Sequence, residues 1–144
     1  MAYSPSSVPA PVITRRGLHI ALWAVQLLLA LVFGSAGVMK TTMPIATLVQ
    51  KGLVWAGDVP AWLVRAIGAC ELAAAVGLTL PSMTRIRPEL TPLAALGLLT
   101  IMVLAMGFHI LRGEPQMVPM TMVLGGLAAF VASGRSSKAP IASR

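Results

Sequence analysis

Apolar residues fill this chain in four long runs, and polar residues gather in the short stretches between them. The first run, Leu18 to Met39, is 22 residues long and carries no charge. The second, Ala61 to Leu80, is twenty residues (AWLVRAIGACELAAAVGLTL) closed by Pro81. At about 1.5 Å of rise per residue it makes a rod of roughly 30 Å, the thickness of a bilayer's hydrocarbon core. The third runs from Pro92 to Leu111 with its proline in the first turn, and the fourth, Met117 to Ser133, is short for a span. The tight turn PSMTRIRPELT and the connection Arg112-Gly113-Glu114-Pro115 make successive helices run antiparallel. Thr41 to Pro60 is the longest connection, and Pro44 ahead of IATLVQKG predicts a short helix ending at Gly52. Trp55 and Trp62 suit an interfacial aromatic belt. The expectation is an all-α integral membrane protein, an antiparallel four-helix bundle.

Composition supports that class. The 144 residues are 57% hydrophobic and 10% charged, with a mean hydropathy of +0.86, far from a soluble globular profile. One domain is expected: a tail over 1–16 without structure, a membrane domain over 17–133, and a basic tail without structure over 134–144. Thr14-Arg15-Arg16-Gly17-Leu18 followed by an apolar run imitates a secretory or twin-arginine signal. The length of the run argues instead for an uncleaved span. Gln26, Ala30, Phe33, Gly37 and Lys40 recur at helical spacing on one face of it, beside the small Gly34 and Ser35, and predict the seam of the bundle. Gly125 and Gly126 predict a second close contact on the fourth span.

Charge fixes the orientation. The formal net charge is +7, yet no basic patch is interleaved with aromatics, which argues against a nucleic-acid partner. With four spans, Arg15, Arg16, Arg85, Arg87, Arg135, Lys138 and Arg144 share a side, seven against three (Lys40, Lys51 and Arg112) on the other, with Arg65 inside the second span. The positive-inside rule then places both termini in the cytoplasm. Cys70 is the only cysteine, which excludes an intramolecular disulfide and a CxxC pair. The two histidines and lone cysteine form no cluster at metal-ligand spacing, so no intrinsic cofactor or metal is expected.

Candidate chemistry follows from the topology. Glu71 sits ten residues into the second span, where a carboxylate costs at least a few kcal/mol unless it is paired, protonated or facing a wet cavity. Lys40, Arg65, His109, Arg112 and Glu114 fall at the non-cytoplasmic ends of their elements, so five polar groups converge above it. Arg65 and Glu71, six residues apart, point about 120° away from each other around the helix, whereas His109 and Arg112 share a face. His109 and Lys40, from neighbouring helices, are the expected partners of Glu71. Each group has a plain reading as well: Glu71 as interhelical glue, His109 as an interfacial residue, Lys40 and Arg112 as snorkelling end residues, and Arg112–Glu114 as an exposed ion pair. Met102, Met106, Met117, Met120 and Met122 are expected to fill core space, and Cys70 to be inert packing.

The segments FGSAGVMK (33–40), LVRAIGACELAAAVGLTLP (63–81), LTPLAALGLL (90–99) and HILRGE (109–114), in this order, resemble the DoxX-like family of four-helix bacterial membrane proteins. The resemblance runs from about Leu18 to Ser133. An AG-x-x-K element falls on Ala36, Gly37 and Lys40, an intramembrane glutamate on Glu71, and an H-x-x-RGE ending on His109, Arg112, Gly113 and Glu114. It implies a bundle in the bacterial inner membrane, and relatives named for thiosulfate:quinone oxidoreductase imply a small membrane subunit of a redox complex.

Three functions are consistent with these residues. One is a quinone-linked redox accessory that binds a small lipophilic ligand between its helices, with Glu71 and His109 as the proton-handling pair. Lys40, Arg65, Arg112, Glu114 and Gly37 would line that ligand, and a partner subunit would carry the redox centre. A second is a self-contained membrane enzyme that uses Glu71 and His109 as acid and base on a lipophilic substrate. A third is a scaffold or assembly factor whose polar cluster only holds helices together. Glycine-rich faces on the first and fourth spans would permit a homo-oligomer.

Overall fold

The computed structural model describes residues 15–144; the expected N-terminal tail therefore lies outside the described residues up to Thr14. Five α-helices follow in order: α1 (Arg15–Thr42), α2 (Ile45–Gln50), α3 (Ala61–Thr84), α4 (Leu90–Leu111) and α5 (Val118–Ser133). The segments Arg15–Thr42, Ala61–Thr84, Leu90–Leu111 and Pro115–Lys138 are long and apolar enough to cross a membrane. Among the described residues there is no strand. The protein is an all-helical, multi-pass membrane protein.

Its exposed surface is what a bilayer requires. Leu31, Leu104, Val123 and Ile110 are more than half exposed, a pattern that water would penalise and lipid does not. Met120 and Met122 belong to this outward surface and only Met102 enters the core. Cys70 is exposed too. A lipid-facing position accepts any apolar side chain, so composition alone does not separate it from a core position.

α1 and α3 form the closest pair. Leu22, Gln26, Leu29, Phe33, Gly37 and Lys40 make the buried stripe of α1: the expected seam with two leucines added and without Ala30, which is only half-buried. A Cβ on Gly37 would lie 2.8 Å from the Gly68 carbonyl oxygen, and one on Gly68 would lie 2.7 Å from Lys40 Cβ. The backbones therefore approach as only glycine permits. Moving up α1 from Gln26 to Lys40, contacts on α3 move back from Leu78 to Glu71. α4 meets α3 through Gly77 against Ala94 and Ser82 against Thr91. On α5, Gly125 lies against Met102, whereas Gly126 faces open space.

Three boundaries differ from the sequence reading. Pro81 does not end α3, which runs on to Thr84 and is capped by Arg85 in a left-handed conformation (φ 60°). Proline removes one intrahelical hydrogen bond, but Ser82 in the next position is held by Gln26 and Thr91, which keeps the last turn in place. The expected C-terminal tail begins instead as a π-turn, Gly134–Lys138, in which Gly134 and Arg135 are buried. Gly134 sits against the Leu22 side chain, and Arg135 finds polar partners inside the bundle. The first helix likewise starts at Arg15, inside the expected tail.

Candidate functional site

The end of the bundle beside α2 gathers the expected polar residues. Side chains on a helix lean toward its N-terminus. Lys40, near the end of α1, therefore leans into the bundle, and Glu71 leans back along α3 toward Ala61. They meet: Lys40 Nζ donates to Glu71 Oε1 at 2.6 Å and to Oε2 at 2.7 Å. Both residues are buried, Lys40 at 7% and Glu71 at 2% exposure. Both carboxylate oxygens are thus engaged by one ammonium, and the site carries no net charge. Arg65 is close by but makes no hydrogen bond to Glu71 among the described residues; its Nη1 donates to the Lys40 carbonyl. That bond satisfies an orphan carbonyl in the last turn of α1.

Gly37, expected near a ligand, serves the helix contact that lets Lys40 reach Glu71. The Lys40 ammonium also lies 6.0 Å from the Trp55 ring centroid, at the outer limit of a cation–π contact. Trp55 belongs to a single 3-10 turn, Val54–Gly57, with Ala56 buried against Leu48 and Val64.

His109 takes a different partner. Its Nδ1 lies 2.6 Å from Glu114 Oε2, while Glu114 Oε1 accepts from Arg112 Nε at 2.9 Å. Arg112 Nη2 then donates to Asp58 Oδ2 at 2.7 Å, tying the α4–α5 connection to the α2–α3 connection. Gly113, at φ 70°, makes the reversal that brings Glu114 back over His109. Burial pulls the Glu114 carboxyl up, but the hydrogen bond from His109 and the contacts with Arg112 outweigh it, so it sits below the usual carboxylate range. The bonds that Arg112 donates to Asp58 and Glu114 raise it above its ordinary value. An ionised carboxylate only accepts, so the proton of this bond sits on His109 Nδ1, and Nε2 is the ring nitrogen left without a hydrogen-bond partner among the described residues.

The structure thus divides the expected proton-handling pair. Glu71 closes with Lys40 and His109 with Glu114, and no hydrogen bond joins Glu71 to His109 among the described residues. Aromatic rings lie between the two pairs. Phe108 meets Trp55 edge-on with centroids 6.1 Å apart and His109 with centroids 5.8 Å apart. Arg112 covers the Phe108 face at 5.4 Å. Asp58 and Phe108 were not expected in this cluster. Asp58 lies 54 positions from Arg112, and nothing local in the sequence marks the pair.

No group of three His, Cys, Asp or Glu side chains that could hold a metal ion occurs among the described residues. An apolar groove of about 130 Å³ lies on another face, between α4 and α5, lined by Leu99, Met102, Met106 and Gly125 among others.

Compared with known proteins, residues 24–131 match the sequence model of the DoxX-like family. No curated protein and no solved structure matches the chain.

Proposed function

The chain belongs to the DoxX-like family, and from that membership we propose that it is an accessory membrane subunit of a quinone-linked redox system. It holds a small lipophilic ligand near Trp55, Phe108 and His109. The observation that carries this reading is the buried His109 ring, bonded through Nδ1 to a carboxylate that Arg112 fixes on its other oxygen. That arrangement orients the ring and stabilises the imidazolium that forms when Nε2 takes a proton. Trp55 and Phe108 supply flat apolar faces beside it, and Ile110 and Leu111 next to it are exposed on the lipid side. These residue types fit a planar, two-carbonyl, lipid-soluble ring.

When bound, such a group supplies the exchange of two electrons and two protons. The protein's part is one of the two protons. His109 Nε2 takes it from the ligand or returns it, and Glu114 offsets the charge. Asp58 and Arg112 keep Glu114 ionised and in place. Lys40 and Glu71 cancel each other's charge and hold the α1–α3 seam that supports Trp55 and Arg65. A partner subunit would exchange the two electrons with that group, and the exposed Gly126 face of α5 offers it a surface of close approach, as it would a second copy of the chain.

The same reading places the domain over 17–133 in a bacterial inner membrane. Arg15, Arg16, Arg85, Arg87, Lys138 and Arg144 then face the cytoplasm, with Arg135 buried at the same end of the bundle, and both termini lie on that side. The test is photolabelling in membranes with a photoreactive quinone analogue. Labelling concentrated around Trp55 and Phe108, and reduced in His109→Gln, supports the site. Labelling spread evenly over the lipid-facing surface overturns it.

One observation favours a second reading. Glu71 and Lys40 satisfy each other completely, as interhelical glue would, and a non-catalytic scaffold needs no more. A self-contained enzyme would instead turn over substrate as the purified chain alone.

A further inference from the structure

At the end of the bundle away from Lys40 and Glu71, a guanidinium is buried without a carboxylate. Arg135, 3% exposed, donates from Nε to Gln26 Oε1 at 2.6 Å and from Nη1 to the Ala139 carbonyl at 3.3 Å. Its Cζ lies 5.5 Å from the Trp23 ring centroid. Nη1 also approaches His19 Nδ1 at 3.1 Å. Nη2 is buried and has no hydrogen-bond partner among the described residues. Arginine has only donors, so His19 Nδ1 is the acceptor. The neutral His19 ring therefore carries its proton on Nε2.

His19 and Ala139, the two residues touched by Nη1, are part of the wall of a cleft of about 640 Å³ that Arg15, Arg16 and Lys138 also line. All three of these cations are exposed. No acid balances them. The chain has four acidic residues, of which Asp58, Glu71 and Glu114 are paired with cations at the α2 end. The fourth, Glu89, is exposed in the α3–α4 connection. A buried charge is stable only when another charge or a set of hydrogen bonds answers it. Here the hydrogen bonds are incomplete and the counter-charge is missing.

We propose that this cleft binds a phosphate-bearing anion. Arg15, Arg16 and Lys138 surround it, His19 offers a neutral N–H from Nε2, and Arg135 contributes positive field from behind the wall. Several cationic donors and one neutral donor suit a group with several charged oxygens better than a single carboxylate. The cleft lies at the first turn of α1, where a span leaves the hydrocarbon and meets lipid headgroups. An anionic phospholipid is one source of that phosphate, and free phosphate is the other.

The test uses the full chain in detergent. Native mass spectrometry and thermal shift follow binding as an anionic phospholipid, a zwitterionic phospholipid or inorganic phosphate is titrated. Arg16→Gln with Lys138→Gln removes two exposed cations of the cleft. Arg87→Gln with Arg144→Gln removes two charges from the same end but outside it. The expected result is saturable binding of the anionic lipid over the zwitterionic one, weakened about tenfold or more by the first pair and left unchanged by the second. Saturable binding of inorganic phosphate with the same dependence on the cleft pair also supports the site and names the soluble source. Equal weakening by both pairs overturns the proposal, because it marks diffuse attraction to a basic surface. So does an absence of preference among the three titrants.

Discussion

Lys40 and Glu71, 31 positions apart in sequence, close on each other with Nζ 2.6 and 2.7 Å from the two carboxylate oxygens. The pair joins α1 to α3 inside the bundle. It exists because Gly37 and Gly68 let the two backbones approach, and because the side-chain tilt of each helix aims one residue at the other. Removing one partner leaves the other charged and buried. Glu71→Leu or Lys40→Met should each lower stability by about 3–5 kcal/mol, whereas Lys40→Met combined with Glu71→Leu should lose far less than the sum. A denaturation series on the three variants measures this directly, and strict additivity would contradict the pairing.

The helix contact has its own signature. A Cβ on Gly37 meets backbone atoms, the Gly68 carbonyl oxygen at 2.8 Å and the Leu72 nitrogen at 3.0 Å, which cannot swing aside. Gly37→Ala is expected to cost about 1–3 kcal/mol. Gly126→Ala, on α5 with open space around it, should not destabilise the isolated chain and should raise its stability by up to about 1 kcal/mol through helix propensity. Melting temperatures of the two alanine variants give the comparison.

Much of this was legible in the sequence. The four runs predicted the spans because a bilayer demands length and apolarity, both of which are countable. The stripe through Gln26, Gly37 and Lys40 predicted the α1 face, and the six-residue spacing predicted that Arg65 and Glu71 would not pair. What the sequence left open was partner choice. Glu71 had Lys40 and His109 within reach of its end of the bundle, and the decision rests on Gly113, whose reversal returns Glu114 to His109. Arg135 was hidden for another reason. It follows Ser133 in a polar, basic segment that reads as a tail, and only the packing of Gly134 against Leu22 turns it inward to Gln26.

Acid should act on the His109 end through Glu114. Its carboxyl is held below the ordinary range in the folded protein, first by the His109 hydrogen bond and also by Arg112. A depressed folded value means that the contribution is present above the unfolded value and is lost as pH falls through the folded one. The Glu114–His109–Arg112 connection should therefore persist through mild acid and fail only below the usual carboxylate range. In Glu114→Gln that acid limb should be missing from a plot of melting temperature against pH. An identical acid limb in wild type and variant would show that other groups set it.

The buried polar network at the opposite end should also resist truncation. Gln26 donates to the Leu78 carbonyl at 2.6 Å and to Ser82 Oγ at 3.2 Å, and it accepts from Arg135. Gln26→Leu strands three partners, and a loss of about 1–3 kcal/mol or more is expected. Hydrogen exchange in the last turn of α3 is the local readout: faster exchange around Ser82 and Met83 is predicted, and unchanged exchange would mean that the turn past Pro81 is held by other contacts.

In the proposed function a lipophilic ligand is held where His109 meets Glu114. Mass spectrometry of lipophilic molecules that co-purify with wild type, His109→Gln and Gln26→Asn, at matched folding, tests it most directly. A quinone retained by wild type and by the variant at the far end, but lost with His109→Gln, is the predicted result. No defined small molecule in any sample, or equal retention in all three, would contradict the claim and leave the polar cluster as the glue of a membrane scaffold.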